Sequence, residues 1–104
     1  MNGSAPHREV LRATLRSESD AERFDSAHRF LRSQLISTRD TAIGRDFFFA
    51  AKAAGVSGAL RDLVEIEHEH GKDLHFDYAE LEGYFLLRIA GTPAQRADID
   101  TYFG

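Results

Sequence analysis

The 104 residues carry 13 Lys or Arg against 17 Asp or Glu, a formal charge of −4; this balance argues against a general nucleic-acid binder, because neutralising phosphate needs clustered positive charge. The lack of Cys removes a disulfide framework, a thiolate zinc site, an iron–sulfur cluster and a thiol nucleophile. With 42% hydrophobic residues and eight Phe, there is apolar material for one core, and residues 1–104 read as a single domain rather than a disordered segment.

Apolar spacing predicts helices joined by short loops. A first helix over residues 5–16 puts Val10, Leu11 and Leu15 on one face, with Arg8, Arg12 and Arg16 as a solvated basic ridge. Ser19 and Glu22 have capping-box spacing, so a second helix begins near Asp20 and runs to about Ser37, with Phe24, Ala27, His28, Leu31 and Leu35 on one face. A third, opened by Asp40 or Thr41 and closed by Gly55, carries Ile43, Phe47, Ala50, Ala51 and Ala54 as a buried stripe. The fourth runs from a Ser57 cap through Leu60, Leu63, Val64 and Glu67 to Gly71, where a left-handed glycine would satisfy the last carbonyls.

Residues 74–90 fit two patterns. Leu74, Phe76 and Tyr78 alternate as in a strand, and residues 84–89 could pair with them across residues 81–83. Asp77 and Glu80 also stand at cap and N3 positions, with Tyr78, Leu81, Phe85 and Ile89 on one helical face, and helix is the preferred reading. A last helix is marked by Thr92, Pro93 and Gln95 at N-cap, N1 and N3, and docks through Ile99, Tyr102 and Phe103. The expected fold is thus all-α, a compact bundle of about five to six short helices, with a C-terminal β-hairpin at about 74–90 as the alternative.

No apolar run approaches the ~18 residues of a membrane span, and residues 1–6 lack the basic and apolar regions of a signal peptide. The expectation is a soluble, cytoplasmic protein with neither membrane nor nucleic acid as partner. No Gly-x-Ser-x-Gly elbow or phosphate-binding glycine loop is present, and no catalytic residue or cofactor is assigned.

Three histidines, His68, His70 and His75, interleave with Glu65, Glu67 and Glu69, which are ligand types for zinc or iron. Glu67 and His70 have the Glu-x-x-His spacing of dimetal helical bundles and are the metal candidates, although the first and third helices offer no acid on their apolar stripes. Glu67 falls on an apolar stripe, as does His28. Burying either costs free energy unless a partner satisfies it, so His28, Glu67 and His70 are candidates for a polar pair or small-ligand pocket between the second and fourth helices.

Phe47, Phe48 and Phe49 exceed what one helix face can bury. Phe48 lies about 100° and Phe49 about 200° round from Phe47, near Arg45 and Lys52. Phe48, Phe49, Arg45 and Lys52 are therefore candidates for an aromatic and aliphatic surface that binds a partner protein or a second copy. The preferred function is a non-catalytic interaction module; the alternative is a small metal- or ligand-binding protein or enzyme using the His and Glu pocket.

Over residues 47–85, the string Ala50-Ala51-Lys52-Ala53-Ala54-Gly55, then Leu63-Val64-Glu65-Ile66, Glu69-His70-Gly71 and DYAELEGYF resembles the helical leader domains of the nitrogen-fixation-type family. Those leaders precede modified ribosomal peptides, and modifying enzymes dock onto them. No Cys- or Ser-rich core peptide follows Gly91, so the resemblance implies a helical docking module rather than a precursor.

Overall fold

At Leu35 the chain leaves helical geometry. The computed structural model describes residues 7–71 and 73–104, the side chain of Arg8 excepted. Helices α1 (His7–Thr14) and α2 (Glu18–Gln34) lead into strands β1 (Leu35–Asp40) and β2 (Gly44–Ala50); helix α3 (Val56–His70) follows, then strands β3 (His75–Leu81) and β4 (Tyr84–Ala90), a 3₁₀ turn (Pro93–Gln95) and helix α4 (Arg96–Asp100). The strands form one antiparallel sheet in the order β1-β2-β4-β3. The fold is α+β, and the expected all-α bundle is corrected at two places. Residues 40–55 are not a helix, and residues 74–90 form the hairpin held as the alternative.

The physical reason lies in side-chain alternation. Three consecutive Phe rings spread around a helix, whereas in a strand alternate side chains point to opposite faces. Phe47 and Phe49 accordingly enter the core, while Phe48 is half-buried on the other side. The same rule sorts β4, where Phe85, Leu87 and Ile89 are buried and Tyr84 and Arg88 are exposed. Phe47 pairs with Leu87 and Phe49 with Phe85 across the β2–β4 ladder, so the inner rows are continuous apolar contacts between strands.

Gly44 is required where β2 meets β4, because a Cβ there would fall onto the Ile89 carbonyl and 2.8 Å from Ala90 Cα. Gly83, at φ +83°, supplies the left-handed residue in the β3–β4 turn.

Helix ends also differ from expectation. Ser17, not Ser19, caps α2, its hydroxyl accepting from the Asp20 amide at 3.3 Å. Gly55, at φ +93°, precedes α3 without a side-chain cap, which leaves Ser57 inside the first turn. Gly71 ends α3 in extended rather than left-handed geometry. The Thr92–Gln95 capping box is formed, with the Thr92 amide donating to Gln95 Oε1 at 2.8 Å. The start of the first helix at residue 5 falls outside the described residues.

The inner sheet face packs against a cluster containing Phe24 and Leu31 of α2, Leu60, Leu63 and Ile66 of α3, and Ile99 and Phe103 from the C-terminal segment. Phe103 packs on this face with its ring edge-on to Phe47 and Phe49 at centroid distances of 5.1 and 5.8 Å. Arg96 fastens α4 to the β1–β2 turn by donating to the carbonyls of Gly44 and Thr41. Among the described residues, no helix is long and apolar enough to cross a membrane.

Candidate functional site

Among the described residues, helices cover only one side of the sheet. On the other side, each strand contributes its alternate residues: Ser37 and Arg39 from β1, Asp46, Phe48 and Ala50 from β2, Tyr84, Leu86 and Arg88 from β4, and Asp77, Ala79 and Leu81 from β3. The apolar part centres on Phe48, directly paired with Leu86, which is itself opposite Ala79. Tyr84 and Leu81, 47% and 43% exposed, extend it toward the turn. These apolar side chains, grouped on one side of a small domain, are the candidate contact surface.

One row across this face is ionic. Register places Arg39 opposite Asp46, Asp46 opposite Arg88 and Arg88 opposite Asp77, so charges alternate in sign over all four strands. Asp46 is fully buried. Its carboxylate accepts from Arg88 Nε and Nη2 at 2.8 and 3.0 Å and from Arg39 Nη2 at 2.7 Å. Those bonds, Arg88 foremost, hold the Asp46 pKa below the usual carboxylate range although burial opposes them, and they raise that of Arg88. The Arg39 guanidinium also lies 5.5 Å from the centroid of the Phe48 ring, a cation–π contact that fixes the ring beside the charged row.

The four partner-binding candidates are not brought together. Phe48 lies on the open face, whereas Phe49 is wholly buried. Arg45 lies on the helix side of β2, beside Asp40 at 2.8 Å and Asp100 at 3.5 Å. Lys52 is exposed in the turn after β2.

A second polar arrangement lies inside the core. Glu67 is 1% exposed, and both of its oxygens accept hydrogen bonds: Oε1 from His7 Nε2 at 2.9 Å and Oε2 from the Tyr102 hydroxyl at 2.6 Å. His28 is also buried, and its Nε2 donates to the Tyr102 carbonyl at 2.6 Å, since a carbonyl can only accept. His28 and Glu67 therefore meet through Tyr102 rather than through each other. The hydrogen bond to Glu67 raises the His7 pKa above its ordinary value against the opposing effect of burial, with the charges of Glu67, Asp98 and Asp73 adding to the rise.

His70 is not part of this arrangement. It faces α2, with Nε2 4.0 Å from Asp20. The Glu67 and His70 side chains do not converge, and no three His, Asp or Glu side chains among the described residues are grouped to hold a metal ion. A shallow groove of about 550 Å³ between α2 and α3 is lined by small residues, including Ala27, Gly55, Gly58 and Ala59, and by Glu22, Arg23 and Asp62, with Arg23 and Asp62 paired at 3.0 Å; it contains none of His28, Glu67 and His70.

Sequence reasoning missed His7, Arg39, Asp46 and Arg88, and read Asp77 as a helix cap rather than a strand residue opposite Arg88. A strand alignment of residues 44–50 with 84–90 would have shown Asp46 opposite Arg88; nothing around His7 marks it. Comparison of the chain with family models, with curated proteins and with solved structures yields no match, so none of them bears on the leader-domain resemblance.

Proposed function

We propose that this domain is a non-catalytic interaction module whose working surface is the open face of its sheet. The observation that carries this reading is Phe48, a large aromatic in the middle of a strand pair, beside Leu86 and Arg39 on a side that no helix among the described residues covers. Such side chains contribute little to a core but much to an interface, where aromatics and Arg concentrate binding energy. The internal His7, Glu67, Tyr102 and His28 arrangement supports a structural role instead, because the Glu67 oxygens already accept from groups of the fold.

The test is retention of proteins, the chain itself included, on immobilised wild-type domain and on Phe48→Glu. Retention lost in Phe48→Glu, but kept in Arg61→Glu on exposed α3 surface, is the expected outcome. Retention indifferent to Phe48 contradicts the reading.

A further inference from the structure

Resting on that reading, we infer that the occupant of the open sheet face is a second copy of this chain, bound about a two-fold axis running parallel to the strands between β2 and β4. The argument is one of charge and size complementarity. A two-fold axis so placed reverses the strand order, laying β1 over β3 of the other copy and β2 over its β4. The ionic row reads plus, minus, plus, minus from β1 to β3, as Arg39, Asp46, Arg88 and Asp77. Reversed and laid on itself, each position of this row lies opposite one of the other sign: the exposed Arg39 faces Asp77 of the second copy, and Arg88 lies over the position of its buried Asp46. A two-fold axis perpendicular to the strands and running along this row would instead set each charge against its own copy, so laying the row on itself favours the axis parallel to the strands.

The apolar rows obey the same operation. Phe48 falls over Leu86 of the second copy, Ser37 over Ala79, and Ala50 over Tyr84, a large ring over a small side chain. Sheets packed face to face lie about 10 Å apart with strands inclined by about 30°, so opposition is closest near the axis, where Phe48, Leu86, Asp46 and Arg88 lie. Arg39 and Arg88, with side chains 63% and 50% exposed, have length and freedom to reach across while keeping Asp46 covered. Four strands about 4.8 Å apart, each about seven residues long, give a face of roughly 450 Å² in projection. That is toward the small end of specific interfaces, and the association is therefore reversible and concentration-dependent.

The experiment is sedimentation velocity on purified full chain over about a hundred-fold concentration range, with Phe48→Glu, Arg39→Glu, Asp77→Lys and an equimolar mixture of the last two, each checked for folding by circular dichroism. A wild-type mass rising from one copy toward two supports the inference, together with loss of association in each single variant. Restored association in the mixture, where Arg39→Glu chains meet Asp77→Lys chains with opposite charges facing, supports the orientation. A wild type that stays monomeric while Phe48-dependent retention of another protein persists overturns the second copy and leaves the interaction module standing. A monomer with no Phe48-dependent retention overturns both. A dimer indifferent to Phe48→Glu and to the charge variants overturns this face as its interface.

Discussion

Phe48 and Phe49 are adjacent in sequence and opposite in consequence. Phe49 is wholly buried against Phe103, so Phe49→Ala should cost about 3–5 kcal/mol by cavity formation and lost burial, read by urea denaturation. Phe48→Ala should change stability far less and association far more; equal stability losses would contradict the assignment of the two faces. His7 gives a pH dependence whose sign follows from its raised pKa. The group gains its proton more readily folded than unfolded, so its pairing with Glu67 stabilises fully below the unfolded value of about 6.5 and is lost as pH rises through the higher folded value. The stability difference between wild type and His7→Ala should be larger at about pH 5.5 than at about pH 9, and a difference that grows with pH would refute the pairing. Tyr102→Phe removes the hydroxyl donor to Glu67 and should cost about 1–3 kcal/mol, the penalty for a buried acceptor left short of a partner.

Helices with one apolar stripe were legible; of the strands, β3 and β4 were read only as the alternative hairpin, and β1 and β2 not at all. The apolar faces of α2 and α3 follow helical spacing, with Phe24, Ala27 and Leu31 buried on the first and Leu60, Leu63 and Val64 on the second. Residues 40–55 mislead because Ile43, Phe47, Ala50, Ala51 and Ala54 also fit a helical stripe, and periodicity within a short window does not register pairing to a strand some forty residues away. The deciding contacts, Asp46 with Arg88 and Phe47 with Leu87, are non-local. His28 and Glu67 could be picked out because polar residues on apolar stripes need partners. Their partner Tyr102 could not, since it lies 74 and 35 residues away along the chain. The β2–β4 approach at Gly44 offers a test of the pairing. Gly44→Ala would drive a Cβ into the Ile89 carbonyl and Ala90 Cα, and it should destabilise the fold with loss of amide protection along β2 and β4 together. Protection lost elsewhere first would argue against this register.

The domain as a whole has two unlike sides. Helices and the C-terminal segment close one face of the sheet with a continuous apolar core. The other face bears a short apolar strip and a self-complementary ionic row. The three consecutive Phe residues suggested a surface grouping Phe48, Phe49, Arg45 and Lys52, whereas the fold puts Phe49 in the core and Arg45 on the helix side: an excess of aromatic side chains is visible in a sequence, but the side each takes depends on whether the backbone alternates or winds. The proposed association through the open side is read most directly by isotope-filtered nuclear Overhauser spectroscopy on a mixture of labelled and unlabelled chains. Inter-chain contacts between the Phe48 ring and the Leu86 methyl groups are expected. Inter-chain contacts confined to the helical side, such as those of Phe30, or none at concentrations where the copies associate, would contradict it.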